Sequence, residues 1–334
     1  MVVGPGPPEG GGSESHIDAH ELASALEPAL LEAGRGTLSE IRWFRTDWQM
    51  SGAATAHAKF TPEPGGPARD AVVKVPVGYK EHRFLTGLSE SEAPTPRVAL
   101  HGYELGGYDF AWVVMERLPG LPLSGHRHKE VFEHLARAAA GFYLRAQERW
   151  ALEPAPPPPD WESLLEKGRE AIRANPQMPH AQRWAGAVKE VQRHLPGLRL
   201  AWERRAINTW CHGDLHPGNC MERTDGAAWG SPPGFVLLDF AEVHCGHWVE
   251  DAVYLERLYW GRPQAIEGVK PVSLIARARR DAGLDCSDDY ASLANLRRVL
   301  MAATTPAFLH REGHPAYLEA ALGVLERLVP SVCQ

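Results

Sequence analysis

Two short segments near the middle of the chain set the terms for any fold it can adopt. The first is His212-Gly213-Asp214-Leu215-His216-Pro217-Gly218-Asn219. Its glycines and proline make it a bent loop rather than a helix. It holds a carboxylate, Asp214, five positions ahead of a carboxamide, Asn219. The second is the apolar run Phe235-Val236-Leu237-Leu238, which ends in Asp239 twenty residues past Asn219. Such a run reads as a buried strand carrying a carboxylate at its end. Phosphoryl transfer from a metal-bound nucleotide draws on that set of parts. One Asp orients and deprotonates a hydroxyl, while an Asn and a second Asp hold Mg²⁺.

The texture of the chain changes once. Residues 18 to 34 carry Leu22, Ala25, Leu26, Leu30 and Leu31 at helical spacing, with Pro28 expected to break or restart the helix. Five short apolar or alternating runs follow: Ile41 to Phe44, Ala54 to Phe60, Ala71 to Val75, Val98 to Tyr103 and Phe110 to Met115. Turn material such as Pro62-Glu63-Pro64-Gly65-Gly66-Pro67 separates them, so they read as strands. A helix is expected over Lys80 to Leu88.

After Pro119-Gly120 the pattern becomes helical. Val131, Leu135, Ala138, Phe142 and Ala146 mark one long amphipathic helix, and Leu318, Leu322, Leu325 and Val329 mark another. Helices are also expected near 161–174 and 181–194, after a proline-rich connector from Ala155 to Pro159. The strand-like pieces of this half are Cys220 to Glu222 and Phe235 to Phe240. The expected architecture is α+β and bilobal. A tail over residues 1–15 precedes a strand-rich, nucleotide-binding lobe over 16–118. A helical lobe over 119–334 carries the loop and the acceptor-binding helices.

Composition narrows the partners. A net charge of −7 argues against a nucleic-acid binder, which would show a basic face. No apolar run approaches the roughly 18 residues of a membrane span. The Gly/Pro/Glu-rich start is unlike a signal peptide and reads as a disordered tail. Five scattered cysteines suit a reducing cytoplasm. The expected partner is a small-molecule hydroxyl acceptor, with the protein a monomer or homodimer free of nucleic acid and membrane.

Each candidate residue has a chemical reason. Asp214 is the candidate base; His212 belongs to the same catalytic loop and reads as a brace for its backbone rather than a proton carrier. His216 either touches phosphate or fills the loop. Asn219 and Asp239 supply the oxygen donors that Mg²⁺ prefers. Lys74, in the otherwise apolar Ala71-Val72-Val73-Lys74-Val75, must have its charge paired or aimed into a cleft. Nucleotide phosphates and Glu81, at the start of the next helix, would pair it, with Glu90 and Glu92 as alternative partners. Ser51-Gly52, between the first two strands, sit where a phosphate-covering turn belongs. Glu116 and Leu118 lie where the first lobe ends. Neither a G-x-G-x-x-G nor a P-loop frame occurs, and a zinc set of Cys211, His212, His216 and Cys220 fits no finger spacing.

With those residues in view, the chain resembles the aminoglycoside phosphotransferase and choline kinase-like family, small-molecule relatives of the protein kinases. The octet at 212–219 keeps the kinase frame H-x-D-x-x-x-x-N. Pro94-Thr95-Pro96-Arg97-Val98 and Val114-Met115-Glu116-Arg117-Leu118-Pro119-Gly120 match in the family's order. The resemblance implies that Asp214 is the base, that Asn219 and Asp239 bind metal and that Lys74 binds ATP phosphates. It also implies that Glu116 and Leu118 offer backbone to adenine and that Asp251, in Gly246-His247-Trp248-Val249-Glu250-Asp251, braces the loop from beneath. The implied activity is ATP-dependent, Mg²⁺-requiring transfer of the γ-phosphoryl group to a small polar hydroxyl compound. Two alternatives stand beside it: a catalytically silent nucleotide-binding regulator and a metal-dependent hydrolase. Ala241 replaces the glycine that many kinases carry after Asp-Phe, which argues against a mobile switch. Glu242, Glu250, Glu256, Asp281, Asp285, Asp288 and Asp289 could hold an amine, giving a slight lean toward a cationic acceptor.

Overall fold

The computed structural model describes residues 19–45, 53–125, 129–224 and 227–333. The expected tail and the Ser51-Gly52 turn lie outside the described residues. The chain divides into two compact units. One combines the described residues of 1–77 with 99–115, and the other combines 78–98 with those of 116–334.

The first unit is a five-stranded sheet with a helix. Strands β1 (Leu38–Arg45), β2 (Ala54–Phe60), β3 (Arg69–Val77), β4 (Val98–Leu105) and β5 (Tyr108–Glu116) lie in the order β1-β2-β3-β5-β4. On β2 and β3 the alternation is strict: Ala54, Ala56 and Ala58 face inward opposite Val75, Val73 and Ala71. Lys74 therefore falls on the other face, paired across the ladder with Thr55. Gly106 and Gly107, both at positive φ, join β4 to β5 as a tight turn that other residues would strain. Helix α1 (Ala19–Ala33) runs through Pro28 without stopping. Leu26 and Leu30, on either side of that proline, are buried, and this anchored apolar face outweighs one lost backbone bond.

The second unit opens with α2 (Tyr79–Leu88) and holds α3 (Glu130–Arg149), α4 (Trp161–Ala174), α5 (Ala181–Glu203), α6 (Val249–Arg257), α7 (Pro271–Asp281), α8 (Tyr290–Thr304), α9 (Leu309–Glu312) and α10 (Pro315–Val332). Its main core joins Trp161 and Leu165 to Trp184, Val188 and Trp202, and these to Val299, Leu300, Leu322 and Leu325. Helix α5 is longer than its sequence pattern predicts because Leu195, Leu198 and Trp202 continue the buried stripe past Pro196. Two small ribbons sit on this helical base. Strand β6 (Thr209–Cys211) pairs with β9 (His244–Gly246), and β7 (Cys220–Arg223) pairs with β8 (Gly234–Leu237). The first ribbon escaped the sequence reading because its strands are three residues long and show no alternation. The apolar run also stops being strand sooner than expected: β8 ends at Leu237, and Asp239 sits beyond it at φ 61°.

Candidate active site

The loop from His212 to Asn219 hangs between β6 and β7, and α6 grips it from below. Asp251, in the first turn of α6, is 1% exposed. Its carboxylate accepts the His212 amide at 2.7 Å, the Gly213 amide at 2.8 Å and the Tyr143 hydroxyl at 2.8 Å. A buried carboxylate survives only with such a set of donors. Burial, and then the Asp251 charge, push the Tyr143 phenol well above its ordinary range, so it stays a donor. Gly213 holds φ 85°, and a Cβ there would lie 2.2 Å from the Glu242 carbonyl oxygen. No side chain fits at that crossing.

His212 is buried, and its ring is spent on backbone. Nδ1 accepts the Asp214 amide at 3.3 Å, and Nε2 donates to the Leu238 carbonyl at 3.0 Å. Burial lowers its pKa, which keeps the imidazole neutral and suited to that donor–acceptor pair. His216 is arranged alike: Nδ1 accepts the Gly218 amide at 2.9 Å, while Nε2 lies 3.5 Å from Asp214 Oδ2.

Asp214 is half-buried and held by side chains. Asn219 Nδ2 donates to Asp214 Oδ2 at 2.9 Å and to its carbonyl at 3.0 Å. The Tyr254 hydroxyl, on α6, donates to Oδ1 at 2.5 Å. His216 first, then Tyr254 and Asn219, hold the carboxyl well below the usual carboxylate range despite partial burial, which pushes the other way. Oδ1, met by Tyr254 alone, keeps a second lone pair for an incoming hydroxyl.

The β7–β8 ribbon brings the second carboxylate to the same place. Cys220 pairs with Leu237, and the Leu238 amide donates to the Asn219 carbonyl at 2.9 Å. Asp239 is thus the next residue along from a direct bond to Asn219. Phe240 is fully buried, its ring 5.2 Å from that of His212 and 5.4 Å from that of Phe142. With Phe240 pinned inward, the left-handed backbone at Asp239 leaves its own side chain exposed. Because Asn219 Nδ2 is turned to Asp214, its amide oxygen is the atom available to a cation. Asn219 and Asp239 together offer the hard oxygen donors that Mg²⁺ takes, so the residues fit that ion.

The remaining predicted residues fall on both units. Lys74 is on β3 of the sheet unit, between the buried Val73 and Val75. Glu81, in the first turn of α2, is buried in the helical unit. Glu116 is buried; its amide donates to the Arg97 carbonyl at 2.7 Å. Its carboxylate accepts Arg223 Nε at 2.8 Å and Nη2 at 2.7 Å, a two-pronged pair. Arg223 also donates to the Thr95 carbonyl at 3.0 Å. Leu118 is buried as well.

The model of the phosphotransferase enzyme family matches residues 65–296, more than half of the chain. The chain belongs to that family. It is a phosphotransferase. A protein of Ralstonia eutropha classed as an aminoglycoside phosphotransferase is similar in fold, with TM-score 0.54 and 14% identity, covering 91% of this chain and 97% of its own. A thermostable mutant of aminoglycoside phosphotransferase APH(4)-Ia, in ternary complex with AMP-PNP and hygromycin B, gives TM-score 0.50 and 15% identity over 92% of this chain and 98% of its own. No curated protein matches the sequence.

In this phosphotransferase several residues were not legible beforehand. Tyr254 follows Asp251 by one helical turn, a spacing that puts both under the loop, but an aromatic in a helix is usually core. Tyr143 reads in sequence as one more apolar position of α3. Five of the seven acidic residues that suggested a cationic acceptor are engaged elsewhere. Glu250 accepts from Arg205 at 3.0 Å and from the His247 amide at 2.9 Å; Glu256 takes Arg298 through both oxygens; Asp288 meets His247 at 2.6 Å. Asp289 caps α8, and Asp285 accepts from Ser287. Glu242 and Asp281 are exposed, so the basis for a lean toward an amine narrows to those two. Cys211, His244 and Glu250 do bring ligand atoms within 4.8 Å of one another. Their bonds are already made: the Cys211 thiol lies 3.4 Å from the His247 carbonyl, and Glu250 is an arginine's partner.

Among the described residues no helix is long and apolar enough to cross a membrane.

Proposed function

We propose that the protein transfers the γ-phosphoryl group of ATP to the hydroxyl of a small polar acceptor, with Mg²⁺ required. One observation carries this reading: a depressed, side-chain-held carboxylate, Asp214, lies one hydrogen bond from Asn219, whose carbonyl is bonded to the residue before Asp239. Asp214 orients the acceptor hydroxyl and receives its proton. A weak base suffices, because in a loose transition state the proton leaves late. Asn219 and Asp239 would hold Mg²⁺, which supplies charge neutralisation at the phosphates. Lys74, with Glu81 as its partner, would meet the same phosphates. Backbone at Glu116 and Leu118 would receive adenine, and Ser51 and Gly52 would cover the phosphate tail. The AMP-PNP and hygromycin B of the APH(4)-Ia complex support a nucleotide donor and a small-molecule acceptor here.

The test is nucleotide binding by calorimetry with Mg²⁺ and with EDTA, in the wild type and in Asp239→Asn. ATP is expected to bind weakly in EDTA, and Asp239→Asn to lose most of the gain that Mg²⁺ brings. Equal affinities in all conditions would remove the metal assignment. ATP turnover that survives Asp214→Asn would remove the catalytic one.

A further inference from the structure

The two carboxylate oxygens of Asp214 have different surroundings. Oδ2 takes Asn219 Nδ2 at 2.9 Å and faces His216 Nε2 at 3.5 Å. The His216 ring is set in that direction: its Nδ1 accepts the Gly218 amide at 2.9 Å, which leaves the ring proton on Nε2. A Cβ on Gly218 would lie 2.6 Å from His216 Cε1, so only glycine admits the ring there. Oδ1 takes the Tyr254 hydroxyl alone. Oδ1 is therefore the oxygen with room for a reacting hydroxyl.

Tyr254 has one hydroxyl proton and gives it to Asp214. Burial first, and then the bond to Asp214, push its pKa up, so the phenol keeps that proton. Toward anything else its oxygen can only accept. Oδ1 and the Tyr254 oxygen thus form a pair of acceptors 2.5 Å apart. Tyr254 also walls a hollow of about 670 Å³ in the helical unit, together with Leu258, Gln264, His314, Tyr317 and two arginines. Two acceptor atoms side by side are matched by two donors side by side. A lone hydroxyl satisfies one of them. Hydroxyls on neighbouring carbons satisfy both, since their oxygens in the gauche arrangement lie roughly one hydrogen-bond length apart. An ammonium beside the hydroxyl serves less well: it is drawn to the charged oxygen, Oδ1, and takes the place the reacting hydroxyl needs.

We infer that Tyr254 is a specificity-determining residue and that it selects an acceptor with a 1,2-diol, reading the hydroxyl next to the one that reacts. The inference deepens the proposed function and rests on Asp214 being the base. The reacting hydroxyl donates to Asp214 Oδ1, and its neighbour donates to the Tyr254 oxygen. The reacting oxygen then bonds to the γ-phosphorus, and the bond from that phosphorus to the β,γ-bridging oxygen breaks. ADP leaves with the electron pair, and the hydroxyl proton passes to Oδ1. An acceptor without the second hydroxyl leaves the Tyr254 oxygen unmatched, which is how a polar site rejects an analogue that lacks one group.

The probes are cis-cyclohexane-1,2-diol and myo-inositol, set against cyclohexane-1,4-diol, cyclohexanol and cis-2-aminocyclohexanol. Each is given with Mg·ATP to the wild type and to Tyr254→Phe, following ADP release and phosphorylated product by mass spectrometry. In the wild type the two vicinal compounds are expected to show a kcat/KM at least about tenfold above the other three. A vicinal compound that seats without reacting instead slows the background hydrolysis of ATP by water, and the other three do not. Tyr254→Phe slows every reaction, and the advantage of the vicinal compounds falls to about one. A merely structural loss would slow all five and leave that ratio unchanged. The inference is overturned if the 1,4-diol, the mono-alcohol or the amino alcohol is used as well as the 1,2-diol. It is equally overturned if neither vicinal compound is phosphorylated or slows hydrolysis, or if the ratio survives in Tyr254→Phe. Loss of all ATP consumption in Asp214→Asn, alongside any of those results, leaves the phosphotransferase reading intact and removes only the diol. ATP turnover unchanged by Asp214→Asn removes both.

Discussion

Asp214 and Asp251 lie on two sides of the same loop and are held in opposite ways. Asp251 forms the floor: it is buried and takes two backbone amides and a phenol. Asp214 forms the rim: it is half-buried and takes its bonds from the side chains of Asn219 and Tyr254, with His216 nearby. Backbone donors cannot leave without moving the chain, so the floor carboxylate fixes shape. Side-chain donors can shift by a rotamer, which leaves the rim carboxylate the adaptability that its proposed role as base calls for. The aspartate on α6 is thus held by backbone and the aspartate in the loop by side chains, the contrast that the proposed division between structure and chemistry requires.

That division can be broken by experiment. Asp214→Asn is expected to lower kcat by roughly 10²–10⁴ while leaving the melting temperature almost unchanged. A stability loss as large as the activity loss would place Asp214 in the floor instead. Asp251→Ala orphans three buried donors and should cost on the order of 3–5 kcal/mol in a denaturant melt; wild-type stability in that variant would undo the contrast.

Below the floor, Glu250 sharpens the same point through pH. Burial alone would raise its pKa, but His244, Arg297, Arg205 and the His247 amide together lower it from 4.5 to about 2. The folded value lies below the unfolded one, so its contribution is complete above pH 4.5 and fades as pH falls toward 2. Wild type and Glu250→Gln should differ by about 3 kcal/mol at neutral pH and converge in acid. A gap that persists unchanged at low pH would assign the loss to packing rather than charge.

The smallest effect belongs to the rim's own support. Tyr254→Phe removes one short bond to Asp214 and should lower kcat about tenfold, with little change in KM for ATP or in stability. An unaltered kcat would make Tyr254 a wall of the hollow and nothing more.

Much of this was legible in the chain. The octet at 212–219 and Asp239 carry their chemistry in residue type and spacing, and the loop could not be helical with Gly213, Pro217 and Gly218 inside it. The five strands of the sheet unit and the long stripes of α3 and α10 were legible because period-2 and period-3.6 burial is written directly in side-chain order. Ends and exceptions were less so. Pro28 reads as a break or restart, and the second helix of 181–194 reads as ending short of Pro196, yet buried leucines on both sides of each proline carry the helices through.

What the sequence determined by itself is the set of candidates: which carboxylates and which carboxamide, in which loop, between which kinds of element. Local residue order sets those, since a bend and a strand end need only near neighbours. What only the tertiary structure decided is which groups meet across distance. Tyr254 reaching Asp214, Asp251 receiving Tyr143, Glu116 receiving Arg223 and the acidic residues being drawn to Arg205, Arg298 and His247 all join side chains far apart in the chain. A charged residue reads the same in sequence whether it faces solvent, a ligand or a buried partner. Only packing chooses among them, because desolvation forces each buried charge to find its counterpart.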